Sequence, residues 1–100
     1  MGEAPLVAVI RGDGIGGDVT DATLAVVAAA LNQAGAPDVR CDDITAGAAL
    51  FAETGLDIEA DGETRAGAAD AIFLGAIGLP SVRHEDGTEI SPHLRLRDRY

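Results

Sequence analysis

Glycine spacing is the first feature of this sequence that could do chemistry. Gly12, Gly14 and Gly17 spell G-x-G-x-x-G directly after an apolar run and ahead of a helical pattern. In a strand-turn-helix context that spacing lets backbone N–H groups at a helix N-terminus cradle pyrophosphate. Asp13 stands against that chemistry, because its carboxylate sits in the turn itself, Asp18 follows in the first helical turn, and Arg11 is the only cation nearby. A phosphate arriving there would meet like charge, so the loop is expected to serve something other than an unshielded pyrophosphate. A second glycine loop, Gly75-Ala76-Ile77-Gly78-Leu79-Pro80, follows a later apolar run. Ligands of open parallel α/β sheets bind outside the carboxyl ends of the strands, so both loops are expected to line one crevice. His93 and Arg97 stand four apart in a helical stretch and therefore share one face.

These groups need a scaffold, and the remaining pattern supplies one. Residues 6–10 form a continuous apolar run of strand length, as expected for a parallel strand covered on both faces. Over residues 18–33, Thr20, Leu24, Val27 and Leu31 recur at helical spacing, Asp18 and Asp21 favour the positive N-terminal end, and Gly35 and Pro37 stop the helix. Residues 39–44 predict a second, more polar strand near a sheet edge, and residues 46–54 a short helix closed by Gly55. Residues 60–69 predict another helix leading into the apolar strand of residues 71–74. Residues 81–89 are polar and irregular. Ser91-Pro92 is a helix start, with Ser as N-cap and Pro at the first helical position.

Composition narrows the partners. The 100 residues carry 17 acidic and 7 basic side chains, a net charge of −10, and every basic residue is Arg. Such a surface repels nucleic acid and anionic membrane faces. Apolar residues make up 47% but aromatic ones only 3%, so the core must be built from Val, Ile, Leu and Ala. The single cysteine, Cys41, excludes an intrachain disulfide and is expected to be a small buried apolar residue in a reducing, cytoplasmic setting. Residues 1–5 lack a basic and then apolar leader, and no run approaches the roughly 20 apolar residues of a membrane span.

Three segments together carry a resemblance: Gly12-Asp13-Gly14-Ile15-Gly16, then Ala69-Asp70-Ala71-Ile72-Phe73-Leu74-Gly75-Ala76-Ile77-Gly78, then Leu94-Arg95-Leu96-Arg97. In this order and spacing the sequence resembles the β-decarboxylating dehydrogenases, which include isopropylmalate, isocitrate, homoisocitrate and tartrate dehydrogenases. The resemblance implies an α/β fold, the isopropylmalate-dehydrogenase-like three-layer α/β/α sandwich rather than the Rossmann fold, incomplete in this chain. It implies oxidation and decarboxylation of a malate-type 2-hydroxy acid with NAD or NADP and Mg2+ or Mn2+. In that family the first loop lies beside the nicotinamide, with Ile15 as an apolar contact, and members usually carry Pro where this chain has Gly17. Gly75, Ala76, Ile77 and Gly78 would let the backbone approach the nicotinamide ribose, with Glu89 as a further cofactor contact. Arg97 matches the first substrate arginine, whose planar guanidinium can hold a carboxylate bidentately. His93 falls at the substrate-discriminating position and Ser91 where isocitrate enzymes contact a carboxylate, so His93 disfavours an isobutyl side chain and leaves tartrate, malate-like or another polar substrate open. Arg95 and Arg99 point elsewhere and are expected to be solvated or paired with acidic neighbours.

By the same resemblance, the metal-binding aspartates, the catalytic Tyr and Lys and two further substrate arginines lie beyond Tyr100. Residues 1–100 are accordingly expected to be the N-terminal portion of the first, cofactor-side domain of an enzyme that is a homodimer at full length, and to be inactive alone. Two alternatives stand beside this reading. One is a non-catalytic regulatory subunit or remnant of the same family. The other is a Rossmann-type module using Gly12, Gly14 and Gly17 for pyrophosphate and Asp42 or Asp43 for ribose.

Overall fold

The computed structural model describes residues 4–100, so the reading of residues 1–5 as free of a leader falls partly outside the described residues. Three strands form one parallel sheet: β1 (Leu6–Gly12), β2 (Arg40–Asp43) and β3 (Ala71–Ala76), in the order β2-β1-β3. β1 is central, as its apolar run requires. It pairs Leu6 with Arg40 and Val9 with Asp43 on one side, and Val7 with Ala71 and Gly12 with Ala76 on the other. The polar β2 lies at the edge expected for it.

Alternation of side chains along a strand gives the sheet two faces, and helices cover both. On one face Ala8, Ile10, Ile72 and Leu74 pack with Ile44, Ala46 and Ile58, with Ala66 from α3 (Gly62–Ala68) and with Leu96 from α4 (Pro92–Arg99). On the other, α1 (Gly16–Gln33) lies over β1 and β3, with Thr20 fully buried and Leu24, Val27 and Leu31 half-buried, the face its periodicity marked. A short α2 (Ala48–Thr54) ends at Gly55 in the left-handed conformation. Val9, Ile10, Ile90 and Leu96 are fully buried; each contributes about 1.5–3 kcal/mol of transfer free energy.

The element boundaries shift where local geometry intervenes. α3 starts two residues later than the pattern suggests because Asp61, its N-cap, adopts φ 60. The stretch over residues 81–89 is not wholly irregular: Arg83 and Glu89 form an antiparallel bridge around a turn in which His84 N–H donates to the Thr88 carbonyl at 2.9 Å. No helix among the described residues is long and apolar enough to cross a membrane.

Cys41 corrects an expectation: it is exposed rather than buried. The reason is topological, since α1 covers β1 and β3 and leaves the edge strand β2 open. An aromatic disulfide reagent is therefore expected to titrate one thiol per chain without denaturant; reaction only after unfolding would contradict the exposed edge.

Candidate functional site

The two glycine loops are held in direct contact at the carboxyl ends of β1 and β3. Gly12 has φ +80, and a Cβ there would lie 2.0 Å from the Ala76 carbonyl oxygen. Gly16, the first residue of α1, is as crowded, with its Cβ position 2.0 Å from the Arg11 oxygen, whereas Gly17 has nothing within 4 Å. The third glycine of a dinucleotide fingerprint packs helix on strand. Here Gly16 does that and Gly17 does not. Asp42 and Asp43, the ribose candidates of the Rossmann alternative, are engaged by Arg65 Nε at 3.1 Å and Arg11 Nε at 3.4 Å.

Asp13, at the tip of the first loop, is only 4% exposed. Its Oδ2 accepts hydrogen bonds from Ala48 N–H and Gly78 N–H, both at 2.8 Å, and its Oδ1 accepts from Ala49 N–H at 2.9 Å. The carboxylate that argued against phosphate thus points inward. It caps α2, whose own N-cap residue, Gly47, carries no side chain to do so. Sequence reasoning assigned Asp13 no such role: it starts this helix at residue 46, behind Thr45, whereas the structure starts it at Ala48 with Gly47 as N-cap.

The expected site residues fall into two groups. Ile15 is the N-cap of α1 and is 68% exposed. Gly75 and Ala76 are not in a loop but are the last residues of β3, because backbone pairing with Gly12 carries the ladder past the apolar run. Ile77 is half-buried against the core, and Gly78 (φ +126) opens onto space with nothing within 4 Å. Glu89 is exposed and pairs with Arg83 at 3.6 Å. Ile77, Gly78, Pro80, Arg83, Glu89 and Ile90 line a recess of about 230 Å³. Ile15 and Gly14 are not among the residues that line this recess, whose wall combines the apolar Ile77, Pro80 and Ile90 with the charged Arg83 and Glu89.

The second group is on α4. Ser91 occupies the N-cap position, but its hydroxyl donates to the Glu89 carbonyl at 3.4 Å instead of capping the helix. His93 is half-buried, and its Nδ1 is buried with no hydrogen-bond partner among the described residues. Pro92 and Leu96 anchor the helix to the core. Arg95 grips Asp57 bidentately at 2.9 and 3.0 Å and Glu63 at 2.7 Å, and Arg99 also pairs with Glu63. Successive residues turn by about 100° on a helix, so Arg95 and Arg99 share the paired face and Arg97 points away. Arg97 lines a separate cavity of about 400 Å³ along the outer edge of β3, with Ile72, Leu74 and Tyr100. Within the described residues it is therefore not brought into the recess with Ile77 and Glu89, because α4 carries it nearly two turns from Ser91.

The acidic partners of α4 make its docking pH-dependent. Hydrogen bonding to Arg95 holds the Asp57 carboxyl below its ordinary range, and Arg95 and then Arg99 do the same to Glu63. Depressed folded-state values mean stabilisation that is complete above the unfolded values of about 4 and is lost as pH falls through the folded ones. Thermal melting is expected to drop steadily below about pH 4, with a shallower drop in Arg95→Gln. A melting temperature that rises on acidification would show instead that relief of the −10 net charge dominates.

A three-stranded parallel sheet with helices on both faces, its two strand-end loops locked together, defines a protein of the α/β class. The family description isocitrate/isopropylmalate dehydrogenase matches residues 6–99, and the chain belongs to that family of decarboxylating dehydrogenases. No curated protein matches the chain. The family generally uses NAD(P) with magnesium or manganese. Among the described residues no three His, Cys, Asp or Glu side chains converge to hold a cation, so none is assigned to the metal.

Proposed function

We propose that this chain forms the nicotinamide-side wall and one arm of the carboxylate clamp in an enzyme that oxidises and decarboxylates a malate-type 2-hydroxy acid. The observation that carries the reading is the state of the arginines. Arg11, Arg65, Arg83, Arg95 and Arg99 each face a carboxylate and Arg40 donates to the Ala4 carbonyl, while Arg97 has neither ion pair nor hydrogen bond among the described residues. In a chain with 17 acidic residues an arginine left unpaired beside a cavity is available for an incoming carboxylate.

In this reading Ile15 and Ile77 supply apolar contact to the ring, Glu89 meets its polar rim, and the exposed backbone at Gly78 admits the ribose. NAD or NADP, when bound, accepts the hydride from the substrate C2 carbon. Arg97 anchors one carboxylate of a di- or tricarboxylate while the other end reacts, and Ser91 and His93 select the substituent between them. A polar residue at His93 favours tartrate, malate-like or other polar substituents over isobutyl. The same family reading makes the working assembly a homodimer.

The test is titration of the isotope-labelled chain with NADH and then with tartrate, malate and isopropylmalate. NADH is expected to move the amides of Ile15, Gly78 and Glu89, and the dicarboxylates the guanidinium of Arg97. Shifts centred instead on Gly17, Asp42 and Asp43 would favour a Rossmann-type module, and none at Arg97 would remove the carboxylate clamp.

A further inference from the structure

Asp13 is the only buried charged side chain among the described residues, and no cation offsets it. Its charge is met by backbone N–H groups from two segments lying 35 and 65 positions further along the chain. Its own main chain closes the same knot, donating to the Ala76 oxygen at 2.6 Å and accepting from Gly16 N–H at 2.9 Å. One carboxylate therefore fixes the first loop, which carries Ile15, against the second, which carries Gly78, and sets the N-terminus of α2 beside both. Gly47 leaves room for it: a Cβ there would meet Asp13 Oδ2 at 2.7 Å.

We propose that Asp13 is a positioning residue whose carboxylate, bound by the amides of Ala48, Ala49 and Gly78, holds the two loops at the spacing the nicotinamide requires. The cofactor part rests on the function proposed above; the positioning of the loops does not. An ionised carboxylate suits the task because two acceptor oxygens serve three donors, and charge-assisted bonds are roughly twice as strong as neutral ones. Asparagine keeps one acceptor oxygen, and its amide nitrogen would face an N–H.

The experiment is residue-resolved amide exchange on the chain, with NADH affinity measured alongside, in Asp13→Asn, Asp13→Ala and Gly47→Ala. In Asp13→Asn the remaining oxygen can still serve Ala48 and Gly78. Exchange at Ala49 is then expected to rise by about tenfold or more, while Val9 and Ile10 in the central strand stay protected. Asp13→Ala should release all three amides. Gly47→Ala, which leaves Asp13 in place but crowds its carboxylate, should give the same local pattern. NADH affinity is expected to weaken by about tenfold in Asp13→Asn. Unchanged exchange at the three amides would overturn the proposal, and so would a uniform rise that includes Val9 and Ile10, the mark of a merely structural role. Local release with unaltered NADH affinity would overturn the positioning of the cofactor. If the unsubstituted chain binds no NADH, the cofactor reading fails, and the local exchange pattern alone decides whether Asp13 holds the loops.

Discussion

Gly12→Ala is expected to cost about 4 kcal/mol, a lowering of melting temperature of roughly 15–30 °C in a domain this size. Two effects add. At φ +80 a side chain is strained whatever the space around it, and the new Cβ would lie 2.0 Å from the main-chain oxygen of Ala76, which β-sheet pairing holds in place. Against an ordinary total of about 5–15 kcal/mol, that leaves a marginal fold. The neighbouring glycines provide internal controls. Gly14 has φ +55 but nothing within 4 Å, so Gly14→Ala should cost only the left-handed penalty of about 1–2 kcal/mol. Gly17 has neither constraint, and Gly17→Ala should be neutral or stabilising by up to about 1 kcal/mol. Melting by circular dichroism would order the three. Equal costs at Gly12 and Gly17 would mean that the loops do not meet as described, and a large loss at Gly17 would revive the pyrophosphate fingerprint.

Arg97→Gln is expected to do the opposite, leaving stability unchanged while removing carboxylate affinity. The side chain is exposed and has no partner to lose, so its replacement should fall within about 0.5 kcal/mol in stability. A charge-assisted bidentate grip on a substrate carboxylate is worth about 2–4 kcal/mol, so its removal should weaken the dissociation constant by roughly 30- to 1,000-fold. Arg97→Lys keeps the charge but not the fork and should fall between. Arg95→Gln separates the two roles of the helix. It removes the bonds to Asp57 and Glu63, so it should lower the melting temperature and affect ligand only through a loosened α4. A several-degree drop in melting temperature in Arg97→Gln, with affinity intact, would place Arg97 among the structural arginines.

Much of the scaffold was legible in the residues themselves. The apolar runs of β1 and β3, the Thr20-Leu24-Val27-Leu31 face of α1, the polar edge strand and the Ser91-Pro92 start of α4 follow from periodicity and end signals acting over a few residues. The three motif segments were enough to indicate the family that the match over residues 6–99 then established. Helical spacing separates Arg95 and Arg99 from Arg97, but it leaves open whether they are solvated or paired, and the structure sets them on Asp57 and Glu63.

The rest depended on which distant segments meet. No local rule sends Asp13 to amides 35 and 65 residues away, distinguishes the packed Gly16 from the free Gly17, or exposes Cys41 by leaving β2 beyond the reach of α1. Gly75 and Ala76 passed from loop to strand for the same reason: a ladder extends as far as the backbones run together, whatever their side chains. The sequence by itself determined the order and type of the elements and the residues available for chemistry, since these rest on interactions within a turn or two of chain. Only the tertiary structure decided which carboxylate would join the loops and which arginine would be left unpaired, because burial and pairing are settled when segments remote in sequence compete for the same partners.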